Sequence, residues 1–322
     1  MFLNAYFRFF LCCTLLCGLL LSLAGCGTQI QNALKVQDAL SEAFRHAQVD
    51  PDDKQAREWA DRAIAIAPND PSTYLGMAAA GQASPGLSIE AVFHTVGDDP
   101  ALADYMQQAV QKFPDDDRGD QFLIDAEGRL GRVADQKANA AKLVALLTKK
   151  LHAPGATDIE YLTLSLAQAQ IDSGDLAGGI AAYQKAIPAY PADPAPPNQL
   201  AYAFAVANTR LPEALSLAQQ ALKLAHAKSD TPEEVIAAYQ DTLGWVQYRQ
   251  GDYKDAEQNL QEAADGDPRE AELRYHLGMV YIAEGKTDAA RAELGHAVLL
   301  SSSYAAAQQA LDSLPKTAVP ST

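Results

Sequence analysis

Beyond residue 26 this 322-residue chain contains no cysteine; all four lie early, at Cys12, Cys13, Cys17 and Cys26. The remaining sequence therefore has no disulfide, no thiolate metal site and no cysteine nucleophile. Histidine is also scarce: six are scattered at positions 46, 94, 152, 226, 276 and 296, with no H-E-x-x-H or other close ligand pair. No metal and no cofactor is expected on that pattern. The G-x-S-x-G elbow, the G-x-x-x-x-G-K-[ST] phosphate loop and the glycine-rich dinucleotide fingerprint are all missing, which leaves no catalytic residue to name and points to a protein that is not an enzyme. Basic residues are outnumbered, 25 Lys and Arg against 41 Asp and Glu, for a formal charge of -16. Such a surface is repelled by phosphate backbones, so nucleic acid is not an expected partner. The acidic runs "DPDD", "VGDDP" and "PDDDRGD" lack the alternating oxygen spacing and closing glutamate of a calcium loop and read as solvated turns.

The first residues, "MFLNAYFRFFLCCTLLCGLLLSLAGC", have one cation at Arg8, an apolar stretch from Phe9 to Leu23, then small residues. That is the layout of a secretory signal, and the stretch is shorter than the roughly 20 apolar residues that span a membrane. Leu23-Ala24-Gly25-Cys26 resembles the lipobox of bacterial lipoproteins. The resemblance implies removal of residues 1–25, lipidation of Cys26, a lipid-anchored tether over 26–34 and attachment to the cell envelope. Gly27 follows the cysteine rather than an acidic residue, which by resemblance to the enterobacterial sorting rule implies the outer membrane, facing the periplasm.

Self-comparison then finds a period. Leu243, Gly244, Gly251, Ala256, Leu260 and Ala263 recur as Leu277, Gly278, Gly285, Ala290, Leu294 and Ala297, each 34 residues on. With Tyr281 and Pro268 in register, this pattern resembles the tetratricopeptide repeat, a helix-turn-helix unit. The resemblance implies an all-α fold of hairpins stacked into a right-handed α-solenoid. A third copy carries Leu166, Gly174, Tyr183, Ala186 and Pro191, and a longer unit with Ala214, Ala218 and Ala221 lies between. These units and a capping helix from Ala305 make a C-terminal array over 157–315, before a flexible tail at 316–322. Residues 35–156 read as irregular helical repeats, with a hairpin around Gly131 and turn signals at Pro85-Gly86 and Gly97.

Within a unit the motif residues are structural. Gly244 and Ala256 allow close helix approach, Gly251 ends the first helix by adopting positive φ, Asp252 is placed to cap the second, and Pro268 stops it. Function is left to the first-helix face that lines the concave groove. The resemblance places at its partner-binding positions Tyr161, Leu164, Gln168, Ile171 and Asp172, then Asn198 and Tyr202. The last two units supply Asp241, Trp245, Tyr248 and Arg249, then Tyr275, Met279 and Ile282. Aromatic, Met and Arg side chains are the types enriched at protein interfaces. Trp245 and Tyr202 are equally compatible with packing against neighbouring first helices.

The reading is a non-catalytic, lipid-anchored scaffold binding envelope proteins through this groove, with self-association as a further option. The alternative is an enzyme or enzyme subunit whose active site lies in the irregular N-terminal half, for which His94, Asp98 and Asp99 are the only constellation.

Overall fold

The computed structural model describes residues 26–47, 54–75, 88–95, 97, 99–229 and 231–315, and all regular structure among them is helical. The signal segment 1–25, the Pro85-Gly86 turn, Asp98, the side chain of His94 and the tail 316–322 lie outside the described residues. The chain divides into two compact units at Val92 and Phe93.

In the first unit, α1 (Cys26–Ala47) packs on α2 (Lys54–Ile66), followed by the short α3 (Pro71–Leu75). The contact is made by small residues at helical spacing, Ala39, Ala43 and Ala47 on one side and Ala56, Ala60 and Ala63 on the other, all buried. Alanine at those positions lets two helix axes approach while keeping the highest helix propensity. The division falls within α4 (Ile89–Thr95).

The second unit continues with α5 (Asp99–Lys112), then five hairpins and a cap: α6 (Asp117–Arg129) with α7 (Val133–Leu151), α8 (Ile159–Ser173) with α9 (Leu176–Ala189), α10 (Ala195–Val206) with α11 (Leu211–Ala227), α12 (Glu233–Gln250) with α13 (Tyr253–Gly266), α14 (Ala271–Ala283) with α15 (Thr287–Leu300), and α16 (Ala305–Ser313). Each helix packs on the next, and α8, α10, α12, α14 and α16 also touch their next-but-one neighbours. The first helices of the hairpins thus lie at the smaller radius of a curved stack and form its inner face.

The repeat positions act as the sequence implies. A Cβ on Gly244 would stand 2.6 Å from Leu260 Cγ, and one on Gly278 would stand 2.7 Å from Leu294 Cγ. These glycines are what bring the two helices of each hairpin into contact. Leu260, Leu277 and Leu294 are fully buried, each contributing about 1.5–3 kcal/mol relative to exposure. Gly251 has φ +88° and ends α12, while its amide reaches the Tyr248 carbonyl. Asp252 sits at the N-cap of α13, but its side chain makes no capping hydrogen bond there. At the corresponding place before α9, Asp175 does cap, accepting from the Gly178 amide at 2.9 Å. The longer turn before α11 has no glycine and instead holds Asn208 and Arg210 at φ +51° and +50°.

The far ends of the second unit meet. Gly97, at φ +70°, lies so close to the end of α15 that a Cβ would fall 2.1 Å from the Leu300 carbonyl oxygen. Asp99, only 1% exposed, accepts from Arg129 Nε at 2.6 Å and from the hydroxyls of Ser301 at 2.9 Å and Ser303 at 3.2 Å. The stack of hairpins in this unit therefore closes on itself, and its inner face becomes the wall of a lumen.

Candidate functional site

The inner face contains two adjoining regions. The first is an aromatic ladder on α12 and α14. Trp245 stacks on His276 at 4.0 Å between ring centroids and on Tyr248 at 4.7 Å. Tyr275 is tilted against Trp245 at 6.4 Å and against Tyr304, before α16, at 5.3 Å. Below the stack, His276 Nδ1 donates to both carboxylate oxygens of Asp241 at 2.9 Å, with both residues buried. Burial alone would push the His276 imidazole down; Asp241, with Glu272 and Glu270 nearby, overrides it and holds the pKa above the ordinary value. Tyr202 on α10 reaches across to α14, where its hydroxyl donates to Glu272 Oε1 at 2.6 Å. Burial, then the Glu272 carboxylate, raises its pKa well above the ordinary phenol value.

Placement of the expected groove residues follows from these contacts. Trp245 is 7% exposed and Asp241 5%, so neither offers free surface in the isolated chain. A tryptophan at this repeat position is long enough to bridge two first helices, and the aspartate is consumed by His276. Tyr248, Arg249, Tyr275 and Met279 remain partly exposed beside the ladder, as does Tyr202. Tyr161 is 42% exposed and stands apart, its hydroxyl donating to the Asp117 carboxylate on α6 and accepting from Gln121 Nε2. Burial, then Asp117, raises its pKa to about 12. His276, Glu272 and Tyr304 belong to the site but carry no repeat signature. Only helix packing brings them to Trp245.

The second region is a cavity of about 210 Å³ between α6, α8 and α10, whose polar lining includes Gln121, Asp125, Ser165, Gln168, Asp172 and Gln199. Asp172 accepts from Gln168 Nε2 at 3.0 Å, and burial pushes its carboxyl up to about 6. Asp125 is solvent-exposed within the lumen, yet the surrounding wall followed by Asp172, Glu272 and Asp99 pushes its carboxyl up to about 7, only partly offset by Arg129.

Of the His94, Asp98 and Asp99 constellation, Asp99 is engaged by Arg129, Ser301 and Ser303 as a structural tie. Among the described residues no group of three or more His, Cys, Asp or Glu side chains could hold a metal ion. No described helix is long and apolar enough to cross a membrane.

Two-helix units stacked with their first helices inward define a helical-repeat solenoid, the class in which the concave face is the binding surface. Residues 198–269 and 247–314 match two models of the tetratricopeptide repeat, so the C-terminal hairpins are tetratricopeptide repeats. No curated protein matches the chain. Among solved structures it is similar to a chain of the APC/C hetero-tetramer Cut9-Hcn1, with 14% identity and a TM-score of 0.48 over 86% of this chain and 52% of that one. This chain thus spans about half the length of that relative. It is also similar to TTC0263, a thermophilic TPR protein in Thermus thermophilus, with 18% identity and a TM-score of 0.46 over 57% of this chain and 98% of that one. A third is YrrB, a TPR protein with an unusual peptide-binding site, at 14% identity and a TM-score of 0.38 over 65% of this chain and 99% of that one.

Proposed function

We propose that this chain is a non-catalytic scaffold that recruits protein partners through the inner face of its repeats, held at the bacterial cell envelope by a lipidated Cys26 and facing the periplasm from the outer membrane. The observation that carries the binding reading is the row of partly exposed Tyr248, Tyr275 and Met279 around the buried Trp245. Amphipathic side chains seated on a rigid stacked base bury much area on contact and lose little conformational entropy. The lipobox resemblance of residues 23–26 supports the anchoring part.

Replacing Tyr248 and Tyr275 together by alanine should abolish partner capture in a crosslinking pull-down from intact envelopes while the circular dichroism spectrum stays helical. Trp245 is the wrong residue to truncate, because loss of a buried aromatic costs about 3–5 kcal/mol and unfolds the site with it. Undiminished capture by the folded double variant places the interface elsewhere. For the anchor, Cys26→Ser should move the protein from the membrane fraction to the soluble fraction; a variant that stays membrane-bound defeats the lipidation reading.

A further inference from the structure

The inner face carries a charge imbalance that the fold does not neutralise. Asp125 on α6, Asp172 on α8 and Glu272 on α14 come from three separate hairpins, and Asp125 senses both of the others across the lumen. Glu270, at the N-cap of α14, adds a fourth carboxylate, pushed up by burial, then by Glu272. Of the local cations, Arg129 holds Asp99, His276 holds Asp241 and reaches Glu272 Oε1 at 3.8 Å, and Arg249 beside the ladder pairs with none of these carboxylates among the described residues. Asp125 has no hydrogen bond or ion pair among the described residues. Burial lifts the Asp172 carboxyl to about 6, and burial, with Asp172 and Glu272 adding to it, lifts that of Asp125 to about 7, so ionised carboxylates on this face are destabilising unless a counter-charge enters.

A second, independent feature lies on the same face. The indole Nε1–H of Trp245, a residue 93% withdrawn from solvent by its 7% exposure, has no acceptor among the described residues. An unsatisfied buried donor costs about 1–3 kcal/mol. Uncompensated carboxylates call for cationic side chains, and an unused N–H calls for a carbonyl acceptor. A lysine- or arginine-bearing peptide in extended form has both, because its backbone carbonyls are not spent on internal hydrogen bonds. The closed stack also favours a single extended chain over a folded domain, since Asp99 ties the two ends together.

We propose that the inner face takes an extended cationic peptide segment of a partner, its basic side chains meeting Asp125, Asp172 and Glu272 and its flank resting on the Tyr248 and Tyr275 edge of the ladder. The inference rests on the concave-face reading of function and adds the partner's chemistry to it.

The test uses the full chain and a fluorescein-labelled peptide of alternating lysine and glycine, with the glutamate and glycine peptide as its counterpart, followed by fluorescence anisotropy at about 0.15 M ionic strength, where exposed charges beyond about 8 Å are screened. The lysine peptide should bind and the glutamate peptide should not. Asp125→Asn with Asp172→Asn should weaken binding by about tenfold, whereas Asp255→Asn with Asp265→Asn, an equal charge change at exposed sites on α13, should change it by less than about twofold. Equal losses in the two variants would reduce the binding to net charge and overturn the proposal, as would undiminished affinity in the lumen variant or equal binding of the glutamate peptide. If the lumen variant still captures the envelope partner while Tyr248→Ala with Tyr275→Ala does not, the concave-face reading stands and the cationic segment alone is rejected.

Discussion

At the scale of single residues, the inner face is governed by how much charge is buried with a partner and how much without. His276 and Asp241 form a satisfied pair although burial raises the Asp241 carboxyl, while Asp125 and Asp172 are raised to about 7 and about 6 from an ordinary value of 3.8, and the buried Asp120 elsewhere on α6 to about 6. The sign of the resulting pH dependence follows directly. Between about pH 4 and 7 the folded chain binds more protons than the unfolded chain, so unfolding free energy falls as pH rises across that window. The raised His276 acts the same way, since its stabilising contribution is complete below the unfolded value of 6.5 and is lost as pH rises through the folded one. Melting temperature should therefore be higher at pH 5.5 than at pH 8, and Asp125→Asn with Asp172→Asn should flatten that difference by raising the value at pH 8. A profile that rises toward pH 8 in the parent chain would contradict this assignment.

At the scale of the element, each hairpin depends on a glycine facing a leucine. Gly244→Ala adds about 1 kcal/mol of helix propensity to α12. The new methyl, however, meets Leu260 Cγ at 2.6 Å in a site where Leu260 is fully buried and α13 is held by Ala256 and Ala263. Overpacking of this kind costs about 1–3 kcal/mol, so the substitution should be neutral to destabilising by about 2 kcal/mol despite the better helix former. Equilibrium urea unfolding measures it, with the half-buried Gly295→Ala on α15, where a Cβ meets nothing within 4 Å, as the stabilising control. A stabilised Gly244→Ala would mean that the two helices can separate without cost.

At the scale of the second unit, a short junction decides whether the repeats form an open groove or a walled lumen. Asp99 is buried and satisfied by groups on α6 and in the turn after α15, so its loss leaves Arg129 unpaired and releases both serines. Asp99→Ala should destabilise by about 3 kcal/mol, the lower end for a broken buried pair because Arg129 retains some exposure. Ser301→Ala with Ser303→Ala removes the link between the ends but spares the ion pair. Amide hydrogen exchange at residues 300–304 should accelerate in that variant while exchange within α12 and α13 is unchanged. Unaltered exchange would show that Gly97 packing on Leu300 closes the stack unaided.

Much of this was legible in the linear chain, because a repeat is a local pattern read twice. The glycine, alanine and leucine positions around residues 243–263 and 277–297 recur at 34, and each acts within its own hairpin, so periodicity determined the helices, their turns and the inward face of α12 and α14. What the period could not supply is the identity of partners across the stack. His276 meets Asp241 over 35 residues, Tyr202 meets Glu272 over 70, and Ser301 meets Asp99 over 202. Trp245 and Asp241 occupy surface-facing repeat positions and are nonetheless buried, since the curvature of the stack turns one first helix onto the next. The sequence alone determined the hairpins and their turns; only the tertiary structure decided which side chains meet on the inner face and which remain free, because closure of the stack sets the distances between charges that no local spacing encodes.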